Sequence, residues 1–199
     1  MIITIDNLKG GQGKSTLSLL VSLETGAGII TNDLYSPVDK ALPPGRCIKM
    51  DPKDTDEKLK KIDRKHTTIL DFGGYADRRM VTAIQIANVV VVPTLNAFAD
   101  IQVTIKTIQE IARYNRKILV VVNRAKSGDL EEVRKIIHGT VGEYPVLPLK
   151  TSKVLARLYL NPKPVSQLVA ENQLNAYLYG ELNQQIQAII KAIATIAKS

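Results

Sequence analysis

Ile2-Ile3-Thr4-Ile5-Asp6-Asn7-Leu8-Lys9-Gly10-Gly11-Gln12-Gly13-Lys14-Ser15-Thr16 is the stretch that decides the fold. Its apolar, β-branched start predicts a strand, and the apolar spacing over residues 14–24 predicts a helix. Three glycines between them let successive backbone N–H groups turn toward one centre, at the positive end of the helix. This strand, loop and helix predict a phosphate-binding loop, in which Lys14 reaches the β and γ phosphates and Ser15 binds Mg²⁺.

Short apolar runs alternate with helical patterns along the rest of the chain. The runs predict strands over residues 2–6, 28–32, 46–50, 67–72, 88–93, 117–123 and 144–149. Helices are predicted over residues 14–24, 55–64, 80–86, 101–114 and 130–137, and residues 36–46 are predicted to be a surface loop. Continuously apolar strands are buried on both faces, as in a parallel sheet covered by helices. We therefore expect a doubly wound, mostly parallel α/β fold, a P-loop NTPase domain over residues 1–199 with a C-terminal helix over about 165–198.

Composition narrows the class of protein. The 199 residues include 27 Lys and Arg, 19 Asp and Glu and one cysteine, which excludes an intramolecular disulfide framework. No apolar run approaches the ~20 residues that span a bilayer, and the start lacks the pattern of a secretory signal. A cytoplasmic location is expected. The formal net charge of +8 favours an anionic partner.

Two carboxylates follow predicted strands, where α/β folds bind their ligands. Asp71 ends the run Thr68-Ile69-Leu70-Asp71, a pattern typical of a Walker B aspartate that holds Mg²⁺, usually through water. Gly73 and Gly74 follow after Phe72, and their N–H groups are candidates for contacts with a γ-phosphate. Asp33 directly follows the second predicted strand, whereas Asp39 lies further into the loop.

The phosphate loop departs from the usual motif at its first position, where Leu8 replaces glycine. The residues Lys9-Gly10-Gly11-Gln12-Gly13-Lys14-Ser15-Thr16 resemble the deviant Walker A motif of the ParA/MinD family of ATPases, most closely its small plasmid partition proteins. The resemblance implies a weak, partner-stimulated ATPase that uses ATP and Mg²⁺. It also implies a homodimer with ATP, in which the signature lysine, Lys9, crosses to the partner's phosphates.

The family pattern also assigns residues beyond the phosphate loop. Asp33 matches the second of two family aspartates, which implies that it positions the attacking water and contacts Mg²⁺, and it is favoured over Asp39 for this role. Thr31 replaces the first of these aspartates, and Leu34-Tyr35 replaces a Pro-Gln pair. A hydrolysis-poor scaffold is therefore an alternative. Asn123 resembles an asparagine that contacts adenine, and Pro148, Leu149 and Lys150 stand where the family folds a loop over that base.

The resemblance further implies nonspecific DNA binding, plasmid partition and a ParB-like stimulating partner at the nucleoid. Two basic clusters are the candidates for DNA phosphates. They comprise Arg113, Arg116, Lys117, Lys150, Lys153, Arg157 and Lys163. A MinD-like, membrane-cycling ATPase is one alternative, although the apolar stripe of residues 182–196 indicates a core helix rather than a membrane anchor. A P-loop kinase or ligase is another, which the signature Lys9 disfavours.

Overall fold

The computed structural model describes residues 1–73 and 77–199. Within them, the strands are β1 (Ile2–Ile5), β2 (Gly28–Thr31), β3 (Cys47–Lys49), β4 (Thr68–Asp71), β5 (Val89–Thr94), β6 (Ile118–Ala125) and β7 (Val146–Lys150). The helices are α1 (Lys14–Thr25), α2 (Val38–Ala41), α3 (Asp56–Lys60), α4 (Arg79–Ile86), α5 (Phe98–Ile111), α6 (Asp129–Val141), α7 (Lys153–Ala156), α8 (Val165–Glu171) and α9 (Gln173–Lys198).

The seven strands form one parallel sheet in the order β3-β2-β4-β1-β5-β6-β7. β1 lies between β4 and β5, where every side chain of Ile2–Ile5 is buried. This arrangement confirms the predicted doubly wound α/β fold, and the sheet is entirely parallel rather than mostly so. Because all strands run the same way, the loops after β1, β2 and β4 meet at one edge of the sheet.

Helices cover both faces of the sheet. On one face, α1 and α9 pack with α2 and α8 over the sheet residues Ile3, Ile5 and Ile29. On the other face, α4, α5 and α6 cover Val90, Val120 and their neighbours. A third, smaller cluster under α3 and α4 contains Phe72.

The C-terminal helix is confirmed as part of the core. Leu182, Ile186, Ile189 and Ile193 are all buried on the sheet, at the helical spacing of the apolar stripe. No helix among the described residues combines the length and the apolar character needed to cross a membrane.

Several element boundaries differ from the sequence prediction. The predicted 55–64 helix ends at Lys60, and the predicted 101–114 helix begins earlier, at Phe98. Within the predicted 36–46 loop, Val38–Ala41 form a helical turn because Val38 and Ala41 are buried against α1 and the sheet. The predicted C-terminal helix is two helices, and they are separated at Asn172, which caps α9.

Candidate functional site

The phosphate loop joins β1 to α1 at the carboxyl edge of the sheet. Gly11 and Gly13 adopt positive φ angles of 78° and 87°, which L-residues with a side chain rarely adopt. A Cβ atom on Gly13 would lie 2.1 Å from Nδ2 of Asn123, so this glycine is required by its contacts as well as by its backbone. The loop borders a cavity of about 940 Å³, together with Asp33 and Gly73. The cavity is large enough for a nucleotide.

Lys14 is buried and points back into its own loop. Its Nζ donates hydrogen bonds to the carbonyl oxygens of Asn7 (2.9 Å) and Lys9 (3.1 Å). Burial lowers the pKa of Lys14, while the carboxylates of Asp6 and Asp71 oppose that change. The loop therefore holds an ammonium group at its centre, ready to meet phosphate oxygens.

Gln12 connects the phosphate loop to α5, to the residue after β5 and to β6. Its Nε2 donates to Oδ1 of Asp100 (2.7 Å) at the start of α5, and its Oε1 accepts the N–H of Leu95 (2.9 Å) after β5. Its carbonyl oxygen accepts a hydrogen bond from Nδ2 of Asn123 (3.0 Å). The loop is thus fixed by three neighbouring segments before any ligand binds.

Lys9 forms an ion pair within its own chain. Its Nζ lies 2.6 Å from Oδ1 of Asp100, the same oxygen that accepts from Gln12. Burial would raise the pKa of Asp100, but these two side chains outweigh it and hold that pKa below its ordinary value. Lys9 remains over one-third exposed and can leave this pair for another anion.

Asp71 has the environment of a cation ligand. It is 1% exposed, and neither of its carboxylate oxygens has a hydrogen-bond partner among the described residues. Burial raises its pKa, opposed by the nearby hydroxyls of Ser15 and Ser18 and by Lys14. The Ser18 hydroxyl donates instead to the Lys14 carbonyl oxygen (3.0 Å).

These donors fit a Mg²⁺ ion that also binds phosphate. Mg²⁺ is typically held by one or two protein oxygens, with water and phosphate completing the shell. The Ser15 hydroxyl and the Asp71 carboxylate supply such oxygens. No group of three His, Cys, Asp or Glu side chains within residues 1–73 and 77–199 forms a metal site by itself.

Asp33 lines the same cavity in a tightly held turn after β2. Its N–H donates to Oγ1 of Thr31 (3.1 Å), and its own carboxylate accepts the N–H of Tyr35 (3.0 Å). Thr31, which stands where the family has its first aspartate, thus supports the backbone of Asp33. Asp39, the weaker candidate, instead pairs with Lys49 (3.0 Å) on β3.

Asn32 joins the turn after β2 to the loop after β4. Its Oδ1 accepts the N–H of Gly73 (2.9 Å), and its Nδ2 donates to Oδ2 of Asp77 (3.0 Å). Asp77 in turn is held by the buried guanidinium of Arg79 (Nη2 to Oδ2, 2.7 Å), which lowers its pKa to about 2. Gly74, the second glycine predicted to approach a γ-phosphate, lies outside the described residues.

Of the predicted base-binding residues, Asn123 is in contact with the phosphate loop. Asn123 is in β6 and holds Gln12 through its amide, a contact that its sequence position did not suggest. Pro148, Leu149 and Lys150 form the end of the edge strand β7. Their proposed contact with adenine stays a prediction.

The two basic clusters lie at opposite ends of the sheet. Arg113, Arg116 and Lys117 are at the end of α5 and before β6, so they are near the amino ends of the strands. The second cluster follows the carboxyl end of β7, and two of its members are in ion pairs: Lys150 with Glu181 and Lys163 with Glu171. Lys153 and Arg157 are exposed in and after α7.

Sequence patterns did not reveal Asp100, Asn32, Asp77 or Arg79 as parts of the site. Asp100 is 91 positions from Lys9 in the chain, and the fold alone brings the two together. The signal for Asn32 was its position directly after a strand, next to Asp33.

Comparison with solved structures identifies the fold. An ATP complex of a McdA variant from Cyanothece superposes with a TM-score of 0.69 at 13% identity, covering 97% of this chain and 96% of that one. MinD from Pyrococcus horikoshii OT3, complexed with Mg-ADP, gives 0.72 at 16% identity and covers 98% and 95%. A ParA family ATPase from Chlorobium tepidum TLS gives 0.58 at 14% identity and covers 93% and 96%.

The fold is that of the MinD and ParA ATPases. No protein-family model matches the sequence, and no curated protein matches it. The resemblance stated from Lys9–Thr16 is therefore confirmed at the level of the fold, over nearly the whole chain.

Proposed function

We propose that the protein is a Mg-ATP-dependent ATPase that dimerises with ATP and positions DNA. One observation carries the proposal: a single loop bears two lysines, Lys9 and Lys14, and the buried Asp71 beside it has no hydrogen-bond partner among the described residues. This combination fits a bound nucleotide and its metal ion.

Each residue of the site has a role in this proposal. The backbone of residues 10–16 and the ammonium of Lys14 hold phosphate oxygens, while Ser15 and Asp71 hold Mg²⁺. Bound Mg-ATP supplies the phosphoryl group that is transferred to water. Asp33, held by Thr31, lies in the cavity where it can accept a hydrogen bond from the attacking water. Asn123 and residues 148–150 border the adenine.

Lys9 connects hydrolysis to dimerisation. In the single chain its ammonium is paired with Asp100, and it is exposed enough to turn outward. In the proposed dimer it contacts the phosphates of the second copy, where a cation stabilises the charge that develops on phosphoryl transfer. Hydrolysis then requires two copies of the chain, and the rate of hydrolysis limits the lifetime of the dimer.

DNA is the proposed cargo or track of that dimer. The net charge of +8 and the exposed cations Arg113, Arg116, Lys153 and Arg157 favour an anionic polymer. Two copies double the number of phosphate contacts, so affinity depends on ATP through avidity. A ParB-like, DNA-bound partner that stimulates hydrolysis would complete a partition cycle at the nucleoid.

The deciding experiment measures binding to a duplex of arbitrary sequence with Mg-ATP, with Mg-ADP and without nucleotide, over a salt series. We expect tight binding only with Mg-ATP, with affinity falling steeply as salt rises. Lys14→Ala should abolish the effect of ATP, and Lys191→Ala, on the exposed face of α9, is the matched control. Absence of binding in every nucleotide state at low salt would overturn the DNA proposal.

A membrane-cycling ATPase is the alternative that the fold also allows. Its specific support is a stripe of exposed apolar residues, Leu174, Tyr177 and Leu178, on the first turns of α9. The same nucleotide series with vesicles of anionic phospholipid tests it. ATP-dependent binding to vesicles without binding to DNA would assign the membrane role instead.

A further inference from the structure

Asn32 accepts a hydrogen bond from the Gly73 N–H, the backbone donor that we predict for a γ-phosphate. The N–H of Gly73 points to Oδ1 of Asn32 at 2.9 Å, at the edge of the cavity bordered by Gly13, Lys14 and Ser15. A single N–H group makes one strong hydrogen bond, so Asn32 and a phosphate oxygen compete for it. ADP lacks the γ-phosphate and so has no oxygen to compete for this N–H.

The orientation of the Asn32 amide is fixed by its other end. Nδ2 donates to the Asp77 carboxylate (3.0 Å), which has no proton to give and can only accept. Asp77 is itself held by Arg79, through Nε and Nη2, and Arg79 Nη1 donates to the carbonyl oxygen of Asp51 (2.8 Å). With Nδ2 committed to Asp77, Oδ1 must face Gly73.

We propose that Asn32 sets the protein's preference between nucleoside triphosphate and diphosphate. It holds Gly73 in the diphosphate and nucleotide-free states, and the triphosphate must displace it. The inference rests on the proposed function, because it assigns a specificity-determining residue to the same nucleotide site. Asn32 touches neither reacting atom, so it is a positioning residue that acts through Gly73.

The consequence is a smaller difference between the two affinities than the phosphate contacts alone would give. Part of the energy gained from the γ-phosphate is used to break the bond between Asn32 and Gly73. Exchange of ADP for ATP is thereby coupled to the contact between the loops that follow β2 and β4, which runs from Asn32 to Asp77 and Arg79.

The test compares Asn32→Ala with the wild type by calorimetry, measuring the dissociation constants of Mg-AMPPNP and Mg-ADP. We expect AMPPNP to bind about threefold to tenfold more tightly to the variant, the size of one net hydrogen bond, with ADP binding unchanged. The ratio of the two constants is a readout that a merely structural role would not move, because damage to the site weakens both ligands.

Asn96→Ala is the matched control. Its amide also bonds carboxylates, those of Asp129 and Glu132, but it does not contact Gly73. Asn32→Ser is a second variant for the case in which Asn32→Ala does not fold. Its side chain is too short to bridge Gly73 and Asp77, so we expect the same tighter binding of AMPPNP with ADP binding unchanged. An unchanged ratio, or equal weakening of both nucleotides, would overturn the role of Asn32 alone. A wild-type protein that binds neither nucleotide would overturn the proposed function as well.

Discussion

At the scale of single residues, Gly13 meets two independent demands. Its φ angle of 87° disfavours any side chain, and Asn123 occupies the space that a Cβ atom would need. We expect Gly13→Ala to lower the free energy of unfolding by about 1–3 kcal/mol, as for other strained backbone positions. Urea unfolding of the nucleotide-free protein measures this.

Gly10→Ala is the control for that prediction. No atom lies within 4 Å of a Cβ built on Gly10, and its backbone is outside the positive-φ region. Its free energy of unfolding should stay within about 1 kcal/mol of the wild type. Equal losses at both glycines would show that the loop, rather than the close approach of Asn123, sets the requirement.

Asp6 makes stability depend on pH in a direction opposite to that of the paired carboxylates. Burial raises its pKa from 3.8 to about 6, although Lys14 and the N–H of Asn7 lower it. Between these values the folded chain binds the proton more tightly than the unfolded chain, so the free energy of unfolding falls as pH rises from about 4 to about 6. The ion pair of Asp77 with Arg79 has the opposite sign: its stabilisation is present above about pH 4 and is lost as the pH falls toward 2, since the pKa of Asp77 is lowered from 3.8 to about 2.

Asp6→Asn is therefore expected to be more stable than the wild type at pH 7.5, by about 3 kcal/mol. Most of the difference should be lost at pH 4, where the carboxyl of the folded wild type is protonated. Urea unfolding at pH 4, 5.5 and 7.5 checks the slope, with Asp63→Asn, an exposed site, as the control. Parallel pH profiles for Asp6→Asn and the wild type would contradict the prediction.

At the scale of elements, α9 tests the distinction between a core helix and a surface helix. Ile186 is 1% exposed within the cluster that joins α9 to α1 and the sheet. Ile186→Ala should cost about 2–5 kcal/mol of unfolding free energy, as truncations in packed cores do. Gln184→Ala, on the exposed side of the same helix, should change it by less than about 0.5 kcal/mol. Similar values for both would argue against docking of α9.

The strands were the elements that the sequence predicted best. Their apolar runs fit a sheet buried on both faces, and each begins and ends within two residues of its predicted bounds. The turns α2 and α7 were not predicted because four residues are too few to show a helical period. Their buried residues, Val38 and Leu155, are held by packing against distant parts of the chain. Phe98 opens α5 although it is 80% exposed, which an apolar pattern cannot anticipate.

In the candidate site too, the sequence predicted the local features but not the contacts between distant residues. The phosphate loop and Asp71 were found because their chemistry is local in the sequence, as a motif and as a strand end. The partners of Lys9 and Gly73 were not found, since Asp100 and Asn32 are 91 and 41 positions away. Only the order of strands in the sheet brings them to the same edge.

At the scale of the whole molecule, the pair of Lys9 with Asp100 should oppose the proposed dimer. The Lys9 end of this pair is exposed and Asp100 is buried. Ion pairs with a solvent-exposed partner contribute about 0.2–1 kcal/mol, which corresponds to at most about fivefold in an equilibrium constant. Asp100→Asn should therefore strengthen dimerisation with Mg-AMPPNP by twofold to fivefold, and Lys9→Ala should abolish it. Sedimentation equilibrium measures both, with Asp129→Asn as a control away from Lys9.

The two basic clusters lie at opposite ends of the sheet, so mutations in them distinguish which end binds DNA. We expect the carboxyl-edge cluster to act, because it lies at the end of the sheet where the nucleotide is proposed to bind. The pair Lys153→Glu and Arg157→Glu should weaken binding and reduce the slope of log affinity against log salt by about two or more. The matched pair Arg113→Glu and Arg116→Glu, at the other end of the sheet, should have the smaller effect; the reverse order would move the DNA surface there.

Gln12 occupies the freely variable position of its motif, yet it anchors the loop to Asp100, Leu95 and Asn123. The conformation of the loop therefore depends on contacts with three segments distant in the sequence as well as on its own residues. Grafting Lys9–Thr16 between a strand and a helix of another protein would transfer the motif without the residues that hold Gln12 in place. For the grafted loop to keep its conformation, we expect that the ends of β5 and β6 and the start of α5 must be grafted with it.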